Sequence, residues 1–506
     1  MKRNELSRSM FFAIVIGIVV SLNIIAIFFF TRFDLTDGDI YSLSDSSKKV
    51  IGNVDDKVIV KAYFTENMPP QLASIAQMVK DYLDEYKAYS NGNLQYEFLD
   101  PASDPDIEKE ATGYRIPSAQ VNIVENDEIA LKKVYLGLVL LYEDKKEIIP
   151  FIQQENIGTL EYDLTSIIKK LTSESMPKMG IVSSFGCANA EETQTVRGML
   201  EAQYELVDLD LATNPEIPAD IKNLIMISPK DSLTLESINS IEKFINDGGK
   251  AGFFVDMIDT DLQTQSANPR KSNINDLLGK FGLSVNNDLV GDLRCTPINV
   301  QRQQGMFRIN TQIKYPFLPL IEKFETKNIV VSKLENISLF FASSINSSKL
   351  ADKYQAETIL ESSVKSFVQS GRFDINASKQ LNEYNYDKQK LPMGVLVTPK
   401  IDSSSENPVT STTRIALFGD GEFMQEGKSI SPQNYQLFMN IADWLNADSD
   451  LISIRSKEVA MRPIDETSEG MRKLLKFVNI LLAPMVILIA GLMKWQLNRS
   501  RKSYSI

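Results

Sequence analysis

Two runs of apolar residues bracket this chain, and between them hydrophobic positions recur with the periods of strands and helices. The first run, Met10 to Thr31, carries no charge over twenty-two residues, enough for a helix to cross roughly 30 Å of hydrocarbon. It passes from Phe28-Phe29-Phe30 directly into Arg32-Phe33-Asp34 with no small-residue cleavage site, so a retained anchor is expected rather than a cleaved signal. The closing run, Phe477 to Met493, is shorter and holds Asn479 and Pro484. A buried core helix has a similar composition, but the terminal position and the basic exit Lys494-Trp495 favour a second anchor. Lys2, Arg3 and Arg8 precede the first span, Asp34, Asp37 and Asp39 follow it, and Lys494, Arg499, Arg501 and Lys502 follow the second. Arg472, Lys473 and Lys476 run against this bias, which the first helix usually dominates. Both tails are therefore expected in the cytoplasm, with residues from about Phe33 to Met471 outside the cytoplasmic membrane.

The intervening pattern predicts an α/β fold. Lys57 to Phe64 alternates like a strand and is broken by Glu66-Asn67-Met68-Pro69-Pro70. A helix from Gln71 places Leu72, Ile75, Val79, Tyr82, Leu83 and Tyr86 on one face. Leu94 to Leu99 reads as a strand, Val121 to Val124, Lys132 to Tyr142 and Glu147 to Phe151 as a β-meander, and Leu160 to Leu171 as a helix. This order is thioredoxin-like, without the Cys-x-x-Cys that redox chemistry needs. Past Thr172 to Ser175 a second unit follows: strands at Met179 to Ser183, Glu205 to Leu209, Asn223 to Ile227 and Ala251 to Val255, with helices at Glu192 to Ala202 and Leu235 to Asn246. Such alternation predicts a parallel sheet with helices on both faces. The stretch from about Val285 to Gln389 is polar and irregular and reads as an insertion. Strands at Met393 to Val397 and Arg414 to Phe418, a helix at Gln433 to Leu445 and a last strand at Leu451 to Ser456 complete the unit. The expected division is a tail at 1–9, a spanning helix at 10–31, a first extracytoplasmic domain at 32–175, a second at 176–457 with its insertion at about 285–390, a linker at 458–472, a spanning helix at 473–497 and a tail at 498–506.

Composition narrows the chemistry. The 506 residues are 43% hydrophobic, enough for real cores, and the net charge of -12 argues against nucleic acid as a partner. Histidine is absent, which removes Ser-His and Cys-His nucleophile systems, histidine-ligated zinc and imidazole proton shuttles. Cys187 and Cys295, the two cysteines, fit either a pair or two buried thiols. Gly421 to Ser429 resembles a phosphate-binding loop, but five residues separate its glycines where the motif has four, and two acids within it repel phosphate; a surface loop is expected. Asp256, Asp259 and Asp261 follow the Ala251 to Val255 strand, at the carboxyl edge where α/β sheets bind ligands, and are the candidate ligand-binding residues. No catalytic residue, metal ligand or cofactor is predicted, and Asp100, Asp104 and Asp106 read as turn composition.

The residues just past the first span carry a resemblance. Arg32-Phe33-Asp34-Leu35-Thr36 followed by Tyr41-Ser42-Leu43-Ser44 is similar to the opening of the ectodomain in GldG-type proteins, auxiliary subunits of the gliding-associated ABC transporter system. Tyr315-Pro316, the run Leu417-Phe418-Gly419-Asp420-Gly421-Glu422-Phe423, Asn440 and Ala442-Asp443-Trp444-Leu445 agree, and the resemblance covers nearly the whole chain. It departs at Gly421-Glu422-Phe423, where the family more often has Ser-Asp-Phe. The resemblance implies a second unit like class I glutamine amidotransferases that have lost their nucleophile, and Cys187 indeed has no histidine to activate it. It further implies a non-catalytic partner of an ABC ATPase and a polytopic permease at the cytoplasmic membrane, in contact with membrane lipid. A solute-binding receptor, with its pocket near Asp256 or between the two units, and an envelope hydrolase with a carboxylate or metal site are the other readings.

Overall fold

The computed structural model describes residues 42–446, apart from 401–412 and scattered single or paired positions, together with isolated residues of the two terminal segments. The chain divides into two units, Met1–Glu458 and Val459–Ile506, and the first holds every element below. The apolar spans at 10–31 and 477–493 lie outside the described residues except for single helical positions such as Ile14, Val15 and Gly491. Among the described residues no helix is long and apolar enough to cross a membrane.

The chain enters with Leu43 buried in the core and Ser44 capping α1 (Asp45–Gly52) through its side chain to Ser47 N–H. Then come β1 (Val58–Phe64), α2 (Pro70–Tyr89), β2 (Leu94–Leu99), α3 (Pro105–Gly113), the hairpin β3 (Ala119–Glu125) and β4 (Glu128–Val134), a second hairpin β5 (Leu136–Tyr142) and β6 (Lys145–Ile149), and α4 (Leu160–Thr172). The sheet runs β2-β1-β5-β6, with β1 parallel to β2 and antiparallel to β5. Period-two alternation sends Val58, Val60, Ala62 and Phe64 to a core shared with α1, α2 and α4. Tyr63 and Val139 face the other way, onto Ala111 of α3. Asn91 and Gly92, both at positive φ, stop α2 and turn the chain into β2.

Two expectations change here. The strand expected over Lys132 to Tyr142 is two strands, because the Tyr135 N–H donates to Thr65 Oγ1 at 3.0 Å and its carbonyl accepts from Thr65 N–H at 3.2 Å, so pairing switches from β3 to β1 at that residue. Of the acids read as a turn, Asp100 does hold one, accepting from Ala102 N–H at 2.9 Å, but Asp104 and Asp106 open a helix: Asp104 accepts from Asp106 N–H at 2.8 Å, and Pro105 occupies the first turn.

A polar knot closes this first part. Buried Glu161, at the start of α4, accepts from Ser44 N–H and from Ser47 Oγ, each at 2.7 Å, and its backbone carbonyl accepts from Tyr86 Oη at 2.9 Å. The Tyr41 to Ser44 signature that carried the resemblance thus ends on a residue that fastens the incoming chain to α4.

The second part is built on β7 (Lys178–Val182), α5 (Gln194–Glu201), β8 (Glu205–Leu209), β9 (Asn223–Ile227), α6 (Leu235–Asn246) and β10 (Lys250–Phe254). After the hairpin β11 (Ile258–Asp261) and β12 (Ser266–Pro269) come α7 (Ile274–Leu278), β13 (Ser284–Val285) and β14 (Asp288–Asp292). A long hairpin, β15 (Cys295–Gln304) and β16 (Phe307–Ile321), leads to β17 (Ile337–Ser338), β18 (Ile345–Asn346), β19 (Tyr354–Glu361), β20 (Ser366–Ser370), β21 (Pro392–Pro399), β22 (Ile415–Phe418) and α8 (Pro432–Leu445). The main sheet is ordered β19-β21-β22-β10-β9-β7-β8, parallel from β22 through β8. Alternate residues serve two cores: Ile225, Ile227, Ala416 and Phe418 pack with α5 and α8, whereas Leu224, Met226, Ile415 and Leu417 pack with α6 and α7. These strands are apolar on both faces, as a sheet covered on both sides requires.

The segment expected to be irregular is ordered. It forms its own aromatic core, with Phe367 and Tyr384 stacked at 4.7 Å and Phe317 packed edge-on at 5.7 Å from Phe367, and it returns β19 to the main sheet as an antiparallel edge strand against β21. Of the strand expected at Leu451 to Ser456, only Ile452 and Ile454 are described, and both are helical and buried.

Buried Asp288 on β14 accepts from Ser344 N–H at 2.8 Å and Ser344 Oγ at 2.6 Å, with no cation bonded to it among the described residues, and burial pushes its carboxyl above the ordinary value near 3.8. A raised folded-state value means that this carboxyl favours the folded chain when protonated, a contribution lost as pH rises from about 3.8 through the raised value. Asp288→Asn is therefore expected to unfold at the same or higher urea concentration than the native chain at pH 7, by an amount of order 1 kcal/mol, and to lose that advantage below pH ~4. Parallel urea titrations at the two pH values check this.

Candidate functional site

Four parallel strands, β7, β9, β10 and β22, end at one edge of the main sheet, and the loops that follow them build the site. The strand order reverses between β7 and β9, with β8 on one side and β10 on the other, the place where open α/β sheets form a crevice. The β7 loop passes through Phe185 and Gly186, both at positive φ, to Cys187. Ser228 follows β9 at φ 53, with its N–H donating to Phe254 O at 2.7 Å.

Asp256, two residues beyond β10, is almost fully buried. Its Oδ1 accepts from Gly421 N–H at 2.7 Å; its Oδ2 accepts from Ser228 Oγ and from Arg270 Nη1 at 3.2 Å. Arg270 arrives from the end of the β11–β12 hairpin. Its Nε donates to Asp259 Oδ1 at 2.5 Å, its Nη1 to Ser228 Oγ at 3.0 Å, and its Nη2 reaches Glu422 Oε1 at 3.5 Å. Lys428 Nζ sits 2.7 Å from the same Glu422 oxygen. Burial opposes the guanidinium charge, and the neighbouring Asp256, Asp259 and Glu422 outweigh it, so Arg270 stays charged.

Of the three aspartates predicted as a ligand site, Asp256 and Asp259 meet on Arg270. Asp261 does not join them: it accepts from Thr264 Oγ1 at 2.8 Å and Thr264 N–H at 3.2 Å in the hairpin turn. The sequence reading missed Arg270, Ser228, Asp420 and Glu422. The loop expected on the surface is divided: Glu426 and Gly427 are exposed, but Gly421, Glu422, Phe423, Met424 and Gln425 are buried, and Gly421 has no room for a Cβ, which would lie 2.7 Å from Phe254 O and 2.9 Å from Ser228 N. Asp420 is fully buried and accepts from Glu422 N–H at 2.7 Å, Phe423 N–H at 3.0 Å and Phe340 N–H at 2.5 Å. Burial, reinforced by the Asp256 charge, pushes its carboxyl well above the ordinary range; Glu422 is pushed up by the same two causes and partly held back by Lys428 and Arg270.

The chemistry available here is that of a closed clamp. Each Asp256 oxygen already accepts a hydrogen bond from the chain itself. Cys187 and Cys295 are buried and unbridged, and burial pushes the Cys187 thiol up to about 12, so it stays protonated at neutral pH. Among the described residues, no group of three or more carboxylates and thiols is arranged to hold a metal ion.

Residues 176–452 match the family model described as an ABC-type uncharacterized transport system, more than half of the chain. The chain belongs to this ABC-transporter auxiliary family. Membership implies association with other subunits of an ABC transport system. A second model, a domain of unknown function, matches residues 37–141 of this auxiliary-family chain. A protein of Borreliella burgdorferi, named only as an uncharacterized protein, is 25% identical over 520 residues, spanning 97% of this chain and 98% of its own. Among solved structures, the mmIFT52 N-terminal domain aligns with 53% of this chain and 97% of its own at 14% identity and a TM-score of 0.36.

Several residues that matched the auxiliary-subunit pattern in sequence hold buried structural bonds. Tyr315 Oη donates to Ile375 O at 2.6 Å, Asn440 Nδ2 to Val330 O at 2.9 Å, and Tyr204 Oη to Asp443 Oδ1 at 2.6 Å. They join parts of the insertion to each other, the insertion to α8, and α8 to the turn between α5 and β8.

Proposed function

We propose that this chain is a non-catalytic accessory subunit of an ABC transporter of the gliding-associated type, tethered to the cytoplasmic membrane near both ends. Its bulk lies outside that membrane and couples a separate ATPase and permease to the extracytoplasmic space. Support for the tethers comes from the two apolar spans and their flanking charges. The sheet order β2-β1-β5-β6 supports reading the first part as thioredoxin-like, and the switch between β7 and β9 supports reading the second as amidotransferase-like. The observation that carries the non-catalytic reading is the closed carboxyl edge, where Arg270, Ser228 and Gly421 N–H saturate Asp256 and the nearby Cys187 thiol stays protonated. With no nucleotide-binding loop and no histidine, energy has to come from a partner.

Tagged full-length chain, extracted in mild detergent, is expected to bring down an ATPase and a polytopic permease in fixed stoichiometry, with ATP hydrolysis in the complex and none by the chain alone. Purification of the chain by itself under conditions that preserve other ABC complexes would sink the proposal. So would retention of function when either span is exchanged for an unrelated lipid tether.

A further inference from the structure

The first and second parts of the chain meet along α4. Leu160, Leu164, Ile168 and Leu171 of that helix face the core of the first part. Another stripe, Ser166, Lys169, Lys170 and Ser173 at three- and four-residue spacing, lines a cavity of about 50 Å³ whose far wall includes Gln203 and Tyr204. No hydrophobic core among the described residues crosses this junction: those of the first part draw on residues between Leu43 and Leu171, those of the second on residues from Met179 onward. The ion pairs nearest it also stay within their own part. Lys170 bonds Glu147 at 2.8 Å on one side, and Lys178 bonds Asp220 at 2.8 Å on the other.

What meets across the junction is polar. Gln203 Nε2 donates to Tyr162 Oη. Ser166 Oγ and Gln203 Oε1 are buried with no partner among the described residues. The cavity beside them has room for about three water molecules at roughly 10–15 Å³ each, and a hydroxyl and an amide oxygen are groups that water satisfies. Bonds of this kind can be exchanged for bonds to water as the surfaces slide, and little apolar area is uncovered when they do. A joint without a shared core therefore resists turning far less than either part resists deformation.

The backbone marks where the turn occurs. Lys145 Nζ donates to Ser173 O at 2.7 Å, which fastens the end of α4 to β6. Glu205 N–H donates to Pro177 O at 3.1 Å, which fastens the entry to β7 onto β8. The first part is thus fixed as far as Ser173 and the second from Pro177. We propose that the two parts are rigid bodies that turn against each other at this hydrated joint, with the hinge between Ser173 and Pro177. Displacement arriving at Ser44 then moves the first part as a block and leaves the Arg270 cluster undisturbed. The inference concerns the chain alone and stands whether or not transporter partners are found.

Nitroxide labels at exposed helical positions test it in full-length chain in detergent. Lys109→Cys on α3 with Lys243→Cys on α6 spans the joint, and Glu201→Cys on α5 with Lys243→Cys is the control within the second part. Cys187 and Cys295 are buried and stay unlabelled. Distances read by double electron–electron resonance are expected to spread at least about twofold more widely across the joint than within the control pair. Tyr162→Phe, which removes the hydroxyl that accepts from Gln203, is expected to widen the cross-joint spread further and leave the control unchanged. Equal spreads in the two pairs of the native background overturn the proposal. So does a cross-joint spread that Tyr162→Phe leaves unaltered, because the motion then lies elsewhere. The first comparison needs no change at the joint, so a Tyr162→Phe chain that fails to fold leaves it decisive.

Discussion

Replacing Arg270 by methionine should lower the unfolding free energy by about 3–5 kcal/mol, the usual cost of removing one partner from a buried ion pair. The guanidinium side chain is 2% exposed and that of Asp256 4%, so Asp256 is left charged in the interior with its remaining bonds from Ser228 and Gly421. Asp259 contributes little to the loss, because its side chain is 60% exposed and water replaces the lost contact. Adding Asp256→Asn to Arg270→Met should recover a large part of the deficit, since a neutral amide costs less to bury than an unpaired carboxylate. Urea denaturation of the single and double variants checks both statements. A loss below about 1 kcal/mol in the single variant would show that the cluster does not hold the sheet edge together.

Gly419→Ala is the second large effect. A Cβ at Gly419 would lie 2.0 Å from Ser343 O, a backbone atom held in place by the Ser343 N–H bond to Gly419 O at 2.7 Å. Backbone cannot swing aside as a flexible side chain does. Relief requires β22 to separate from the segment that follows β17, and a loss of about 3 kcal/mol or more is expected. Gly427 is the control: its φ of 73 strains any substitution, but nothing lies within 4 Å of its Cβ direction, so Gly427→Ala should cost about 1 kcal/mol. Equal losses at the two glycines would refute the close approach as the cause.

How much of this was legible in the sequence depends on how local each interaction is. The strands β1, β2, β7, β9 and β10 and the helices α2, α4 and α6 announce themselves because each has its own hydrophobic period or apolar run bounded by breakers. The insertion does not. Its core draws single aromatics from distant stretches, Phe317, Phe341, Phe367 and Tyr384, separated by serine and asparagine, so no window shows a period. The site divides the same way. Asp256 is foreseeable, since it follows a predicted strand at the binding edge of a parallel sheet. Arg270 and Glu422 are 152 residues apart and meet only when the β11–β12 hairpin folds back over the sheet, a contact with no local signature. The loop after β22 misled because glycines and acids resemble exposed turn composition; Glu426 and Gly427 are indeed exposed, but Gly419 and Gly421 permit close approach and Glu422 is buried against Arg270 and Lys428.

The bond from Ser44 N–H to Glu161 also has a mechanical meaning. It bridges 117 positions of sequence, and Ser47 Oγ grips the same carboxylate oxygen one helical turn later. Tension applied to the chain ahead of Ser42 therefore cannot peel α1 residue by residue from its free end. It loads α4 first, through two bonds in parallel, and breaking either one leaves a buried carboxylate with one donor fewer. The first part of the molecule thus resists a pull along its incoming segment as one block, and the same pull reaches α4 and, through Tyr86 on the Glu161 carbonyl, α2 with little slack.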